Sequence, residues 1–340
     1  MTILVGAAGL EPATTGLEGR CSIHLSYAPG GGKHAPILTG CYPESVELDG
    51  VIVVDKAEGC TSHDVVNRVR RIAGTRRVGH LGTLDPLATG VLPLVVGRAT
   101  RLAQFFTANS KRYDAWITFG NSTDSYDRDG APTSEPVQPS FTREELDRAL
   151  DAFRGTFLLT PPPVSAKKVG GVPAYKLARK HIEVDLKPVE VTVNALDLAA
   201  FETPRARVLI CCSAGTYVRS IVHELGRALG CGAFLDTLRR TASGEFTIEG
   251  AHTLDQLRDL AAEDRLSEAL IAGPALLPQF PGELVDVVTA GQIRQGRDFR
   301  VSPFRVGPDA RYVKALSKEG ELIAIGEARL PHLYHPILVL

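Results

Sequence analysis

At 340 residues and 44% hydrophobic content, the chain carries enough apolar material for a full core and for more than one domain. Its formal net charge of −1 gives no global basic excess, and no apolar run is long enough to span a bilayer or to act as a cleavable signal. The six cysteines form no C-x-x-C pair and no histidine cluster completes a zinc site, so the expectation is free thiols in a reducing cytoplasm and no metal.

Residues 1–46 are interrupted by Gly6, Gly9, Gly16, Gly19 and the Gly30-Gly31-Gly32 run, and their hydrophobic residues follow no period. A disordered extension or an over-long start is expected there. The stretch Gly30-Gly31-Gly32-Lys33-His34 lacks the glycine spacing and the Ser or Thr of a phosphate loop. Organised sequence opens with Gly50-Val51-Ile52-Val53-Val54-Asp55-Lys56, an apolar β-branched run that reads as a buried strand. Thr61-Ser62 then caps a helix whose Val65, Val66, Val69 and Ile72 recur at helical spacing, with Arg68, Arg70 and Arg71 on the other face.

From Gly79 to Gly90 the chain is rich in glycine and apolar residues around a single acid, Asp85. Pro86 biases Asp85 toward an extended or turn conformation. A carboxylate on such a bend is poorly solvated and needs a cation, donors or a reaction to perform. Asp85-Pro86 also has the chemistry of a helix start, with Leu87, Val91 and Leu92 following. The two roles are compatible. Between Thr61 and Arg112 nine basic residues face two acids, a local excess that suits a phosphate-rich partner or an ordinary solvated helix face.

Ala99 to Phe106 reads as a helix, and Lys111 to Phe119 alternates as a strand. Asp124, Asp127, Asp129 and Gly130 lie in a loop, but Ser125 and Pro136 occupy positions where a calcium loop needs acids. Thr142 and Glu145 form a capping box ahead of a helix from Leu146 to Phe153. The Pro/Gly-rich, basic stretch from Pro161 to Gly171 is a solvated loop or a flap that closes on a partner. Val189 to Leu198 and Arg207 to Ser213 read as strands, the latter setting Cys211 and Cys212 on opposite faces. A helix bearing Ile221, Val222, Leu225 and Leu229 ends at Gly230, and Arg227 stands where a zinc-protease reading of His223-Glu224 needs histidine. Phe234 to Arg240 completes the core and Thr253 to Leu260 makes a last helix. A Pro/Gly-rich joint, Gly273 to Gly282, leads to a strand-rich tail of about sixty residues, a usual size for a small domain.

Gly79-His80-Leu81-Gly82-Thr83-Leu84-Asp85-Pro86-Leu87-Ala88-Thr89-Gly90-Val91-Leu92-Pro93 resembles the signature of the TruB family, the bacterial tRNA pseudouridine-55 synthases. Three further blocks follow in the family's order: Lys111-Arg112-Tyr113, Ser213 to Arg219, and Leu238-Arg239-Arg240. The opening Asp55-Lys56 motif departs from the family at Ala57, where proline is usual. The resemblance is strong over residues 48–270. It implies an α/β (α+β) fold with a mixed, largely antiparallel central sheet and flanking helices. It further implies a catalytic domain at 47–272, an RNA-gripping insertion at about 161–188, and a small β-rich PUA-like domain at 280–340.

The implied reaction converts uridine 55 in the T loop of tRNA to pseudouridine. It breaks a C–N glycosidic bond, turns the base and rejoins it through carbon. A carboxylate is a suitable reversible nucleophile for glycosyl chemistry, and the buried uridine must first be flipped out. The resemblance implies Asp85 as that nucleophile and Arg219 as its ion-pair partner. It gives Tyr113 as the residue that stacks on the uracil and a candidate base for the C5 proton. Tyr217 and Leu238 become pocket walls, His80 fills the space the base vacates, and Lys56 binds substrate. Cofactors and metals are not needed. The expected partner is the tRNA T-arm alone, with a monomeric, cytoplasmic protein and neither a membrane nor a protein partner. Guide-RNA-dependent cousins usually continue Thr-Leu-Asp-Pro with Lys-Val-Thr-Gly, where this chain has Leu87-Ala88-Thr89-Gly90. A non-catalytic RNA chaperone using the same groove is the alternative of another class.

Overall fold

The β-branched run becomes strand β1 (Gly50–Lys56), in which only Asp55 is not fully buried. The computed structural model describes residues 48–165, 168–169, 172–173 and 186–340. The expectations for residues 1–46, and for most of the 161–188 insertion, lie outside the described residues. Thr61 caps helix α1 (Ser62–Ile72): it accepts the Asp64 N–H at 3.1 Å, and Asp64 accepts the Thr61 N–H at 3.0 Å. Strands β2 (Val78–His80) and β3 (Thr89–Val96) flank the acidic bend.

Strand β3 overturns the expected helix after Asp85. Asp85 opens a turn instead, with the Ala88 N–H donating to its carbonyl at 3.1 Å. Val91, Val95 and Val96 are β-branched and buried, and β1 lies antiparallel to β3 from Gly90 to Val96. Tertiary pairing decides the state here over local helix-start chemistry. The helix expected at 99–106 is a 3₁₀ segment, Gly97–Phe105.

Strand β4 (Lys111–Phe119) precedes α2 (Arg143–Asp151), whose Thr142–Glu145 capping box forms as expected. The chain continues through β5 (Gly155–Leu159), the short antiparallel pair β6 (Lys168–Val169) and β7 (Val172–Pro173), then β8 (Val189–Glu202) and β9 (Arg205–Cys212). Helix α3 (Val218–Ala228), β10 (Ala233–Ser243), β11 (Phe246–Thr247), α4 (Leu254–Ala262) and β12 (Leu270–Ala272) follow.

These strands form one mixed sheet in the order β12-β1-β3-β10-β4-β9-β8-β5, with β2 on β3 and β11 on β10. All pairings are antiparallel except the short β3–β10 contact, where Thr89 meets Arg239 and Gly90 meets Arg240. Gly90 has φ +95°, and a Cβ there would lie 2.2 Å from the Arg240 carbonyl oxygen, so only glycine fits this junction.

The sheet is apolar on both faces of β1 and β3. Ile52, Val54, Leu92 and Leu94 belong to the core that also takes in α1, α2, α3 and the helix at Leu254–Ala262, while Val51, Val53, Val91 and Val95 face the other way. That second face is covered by a five-stranded sheet made of β13 (Gly282–Leu284), β14 (Phe299–Arg300), β15 (Tyr312–Leu316), β16 (Leu322–Leu330) and β17 (Leu333–Val339). Its order is β13-β15-β16-β17-β14, and helix α5 (Val287–Arg294) packs on it. Leu322, Ile325 and Leu338 share one core with Val51, Val53 and Leu81. Buried Lys314 ties the joint by donating to the Pro274 and Leu276 carbonyls, each at 2.8 Å, and Glu245 accepts the Leu277 N–H at 3.1 Å. Residues 48–340 accordingly form a single contact unit. No helix among the described residues is long and apolar enough to cross a membrane.

Candidate active site

The bend between β2 and β3 is held from three elements. Arg240 of β10 is buried and donates to the carbonyls of Val91 at 2.7 Å, Thr83 at 3.3 Å and Gly82 at 3.1 Å. Ser62 of α1 bridges both backbone groups of Leu84, donating to its oxygen at 3.0 Å and accepting its N–H at 2.8 Å. Lys56 of β1 donates to the carbonyls of Ala57 at 2.9 Å, Pro86 at 3.2 Å and Ala88 at 2.6 Å. Hydrogen bonds from charged donors are worth about 1.5–3 kcal/mol each, so residues 82–88 are strongly restrained. Asp85 has its backbone fixed while its side chain stays 38% exposed.

Arg219 is the second residue of α3 and is almost wholly buried, with 4% of its side chain exposed. Its Nη2 lies 2.9 Å from Asp85 Oδ2 and donates to the Val164 carbonyl at 3.0 Å. Its Nη1 donates to the Ser125 carbonyl at 2.8 Å and lies 3.4 Å from Asp127 Oδ2. The guanidinium therefore bridges a buried carboxylate, Asp127, and an accessible one, Asp85. Such a fork fixes orientation as well as charge.

Asp85 opens into a cavity of about 240 Å³ whose lining includes Tyr113, Tyr217, Leu238, Lys111 and Arg240. Burial raises the Tyr113 phenol above its ordinary range, against the opposing effect of Arg240. Burial likewise raises Tyr217. Lys111 donates to the carbonyls of Thr107 and Asn109, and its ammonium is pulled down by burial and then by Arg240. A carboxylate with one open side, two aromatic walls and three cations, Lys111, Arg219 and Arg240, can receive a flat polar ring and supply a nucleophile to it.

Residues 70–218 match the family model described as TruB family pseudouridylate synthase (N terminal domain). Residues 219–278 match that of the tRNA pseudouridylate synthase B C-terminal domain. Over 293 residues the chain is 60% identical to tRNA pseudouridine synthase B of Solibacter usitatus (strain Ellin6076), covering 86% of this chain and 100% of that one. The chain belongs to the TruB family of pseudouridylate synthases. A second relative, tRNA pseudouridine synthase B of Opitutus terrae, is 45% identical over 234 residues, 68% of this chain and 97% of its own. Among solved structures, that of a Cbf5-Nop10-Gar1 complex aligns with a TM-score of 0.64 and 25% identity, over 85% of this chain and 80% of the other.

The two TruB-family segments meet between Val218 and Arg219, so the Asp85–Arg219 pair joins one to the other. Five expected site residues come together in the cavity: Asp85, Tyr113, Tyr217, Arg219 and Leu238. Two do not line it. Lys56 lies behind the bend with its ammonium committed to three carbonyls, so the structure gives it a supporting place where a substrate contact was expected. His80 is half-buried on β2, and its buried Nδ1 has no hydrogen-bond partner among the described residues. The sequence gives Asp127, Arg240 and Lys111 no place at the site and marks Ser62 only as part of a helix cap. Arg240 and Lys111 do stand inside the recognised blocks; Asp127 sits among other loop acids with nothing to single it out.

Proposed function

We propose that this TruB-family pseudouridylate synthase isomerises uridine 55 in the T loop of tRNA, with Asp85 as the nucleophile. The observation that carries the reading is the ion pair at 2.9 Å between a buried Arg219 and an Asp85 carboxylate open to the cavity. The carboxylate attacks the nucleoside and the C1′–N1 bond breaks. The freed base turns within the pocket, a C1′–C5 bond forms as the carboxylate departs, and the proton that C5 gives up is balanced by one taken up at N1. Nothing is gained or lost overall. Tyr113, Tyr217 and Leu238 support the flipped ring. Tyr113 shares the cavity wall with Asp85, and we assign it both stacking on the uracil and the part of candidate base for the C5 proton. His80, beside the bend but outside the cavity, suits a role in the RNA stack.

The tRNA substrate is carried by the curated relatives' names and by the basic stretch from Thr61 to Arg112. The β-rich segment 280–340 serves as a PUA-like second RNA contact, and the protein acts as a monomer. The test is to incubate the purified chain alone with unmodified tRNA transcript and map pseudouridine by carbodiimide labelling. A single stop at position 55 is expected. A requirement for guide RNA or an added protein would instead support the guide-dependent alternative, and restored tRNA folding without any stop would support a chaperone.

A further inference from the structure

Three consecutive residues of the loop between β4 and α2 meet two residues of α3 that stand one turn apart. Ser125 offers its carbonyl, and Asp127 its carboxylate, to the Arg219 guanidinium. Tyr126, between them, turns the opposite way and lies flat on His223, with ring centroids 3.7 Å apart and planes 11° from parallel. Positions 219 and 223 share one face of the helix, so the loop grips that face at two points.

The grip needs an unusual backbone. Tyr126 has φ +65°, a left-handed conformation that is rare and strained for a residue with a large side chain. This turn sends the ring of Tyr126 to the imidazole while both neighbours face the guanidinium. It is held on several sides: the Tyr126 N–H donates to the Thr123 carbonyl at 3.3 Å, and its own carbonyl accepts the Leu235 N–H at 3.0 Å. The Asp127 carboxylate also accepts the Ser125 hydroxyl at 2.5 Å and the Asp129 N–H at 3.2 Å. Neither ring lines the cavity, and burial keeps His223 below its ordinary range, so two neutral rings stack.

We propose that Tyr126 and His223 are positioning residues for pseudouridine formation: their stack seats the Ser125–Asp127 clamp on Arg219 and so sets how Arg219 presents Asp85. The proposal rests on the reading of Asp85 as nucleophile. Strain at Tyr126 persists because the stack and the clamp hold it together. Once the ring is gone, the loop relaxes and the guanidinium loses its fixed angle. The effect falls on turnover rather than on RNA affinity.

The test compares Tyr126→Gly, Tyr126→Phe, His223→Ala and His223→Phe in steady-state turnover of tRNA transcript, with folding checked by circular dichroism. Glycine accepts the left-handed turn without a ring, and Tyr126→Asn, which also tolerates it, serves if the glycine variant loses its fold. Tyr126→Gly and His223→Ala should each lower kcat by about tenfold with KM within about twofold, because misplacement of a catalytic group penalises turnover. The two phenylalanine variants should retain wild-type kcat. Combining Tyr126→Gly with His223→Ala should cost no more than either alone. Full kcat in Tyr126→Gly, or losses that multiply in the double variant, would overturn the proposal. Asp85→Asn, assayed alongside, separates the two levels: an active Asp85→Asn defeats the nucleophile reading itself, whereas an inactive one beside a fully active Tyr126→Gly defeats only the positioning role.

Discussion

Arg219 reaches Asp85 at 2.9 Å with its own guanidinium buried and the carboxylate left accessible. The cation is anchored and the acid is offered. The anchoring comes from Asp127 and the Ser125 carbonyl on Nη1, and from the Val164 carbonyl, which shares Nη2 with Asp85.

Asp127→Ala removes one carboxylate from a buried fork. Its side chain is only 9% exposed, so the loss leaves buried positive charge undercompensated. Breaking such a pair costs on the order of 3 kcal/mol. Urea unfolding should show an unfolding free energy lower by that amount, and kcat should fall while tRNA binding holds. Unchanged stability would mean that Arg219 is seated without Asp127.

Arg240→Lys keeps the charge and loses the planar fork that spans Gly82, Thr83 and Val91. A single ammonium cannot reach all three carbonyls in this geometry, and about 2 kcal/mol of stability should go with the lost bonds. Amide hydrogen exchange in residues 82–85 should accelerate, with kcat reduced and KM little altered. Wild-type protection across the bend would contradict the bracing role.

Much of this was legible in the residues. The strand at Gly50–Lys56, the caps at Thr61 and Thr142, and the bend around Asp85 follow from local chemistry, and all appear. Strand β3 did not, because Asp85-Pro86-Leu87 has the letters of a helix start and only pairing with distant β1 and β10 makes residues 89–96 extended. The supporting cations were equally hidden. Lys56 and Arg240 bind carbonyl oxygens, and a backbone acceptor has no letter in the sequence. Asp127 is one acid among Asp124, Asp127 and Asp129, and folding alone selects which carboxylate goes inside.

His80 supplies a pH dependence. Burial holds its imidazole below the ordinary range, with Arg240 and His63 acting in the same direction. The unfolded chain therefore binds this proton at higher pH than the folded one does. Stability is lost as pH falls from about 6.5, the unfolded value, toward the folded value, and the loss is then constant below it. Melting temperatures at pH 7 and pH 5 should differ more for the wild type than for His80→Gln. His223, shifted downward too, leaves part of the dependence in the variant. Equal differences would show that His80 protonates as freely in the folded protein as in the unfolded chain.

The central claim is that Asp85, held by Arg219, performs the chemistry itself. Asp85→Asn keeps the shape of the side chain and removes its charge, so the bend and the cavity should survive. The decisive measurement is pseudouridine formed at tRNA position 55 by this variant at enzyme concentrations above that of the RNA, with binding followed in parallel. No product alongside near-wild-type binding is the predicted result. Product at that position, at any rate comparable to wild type, would contradict the account.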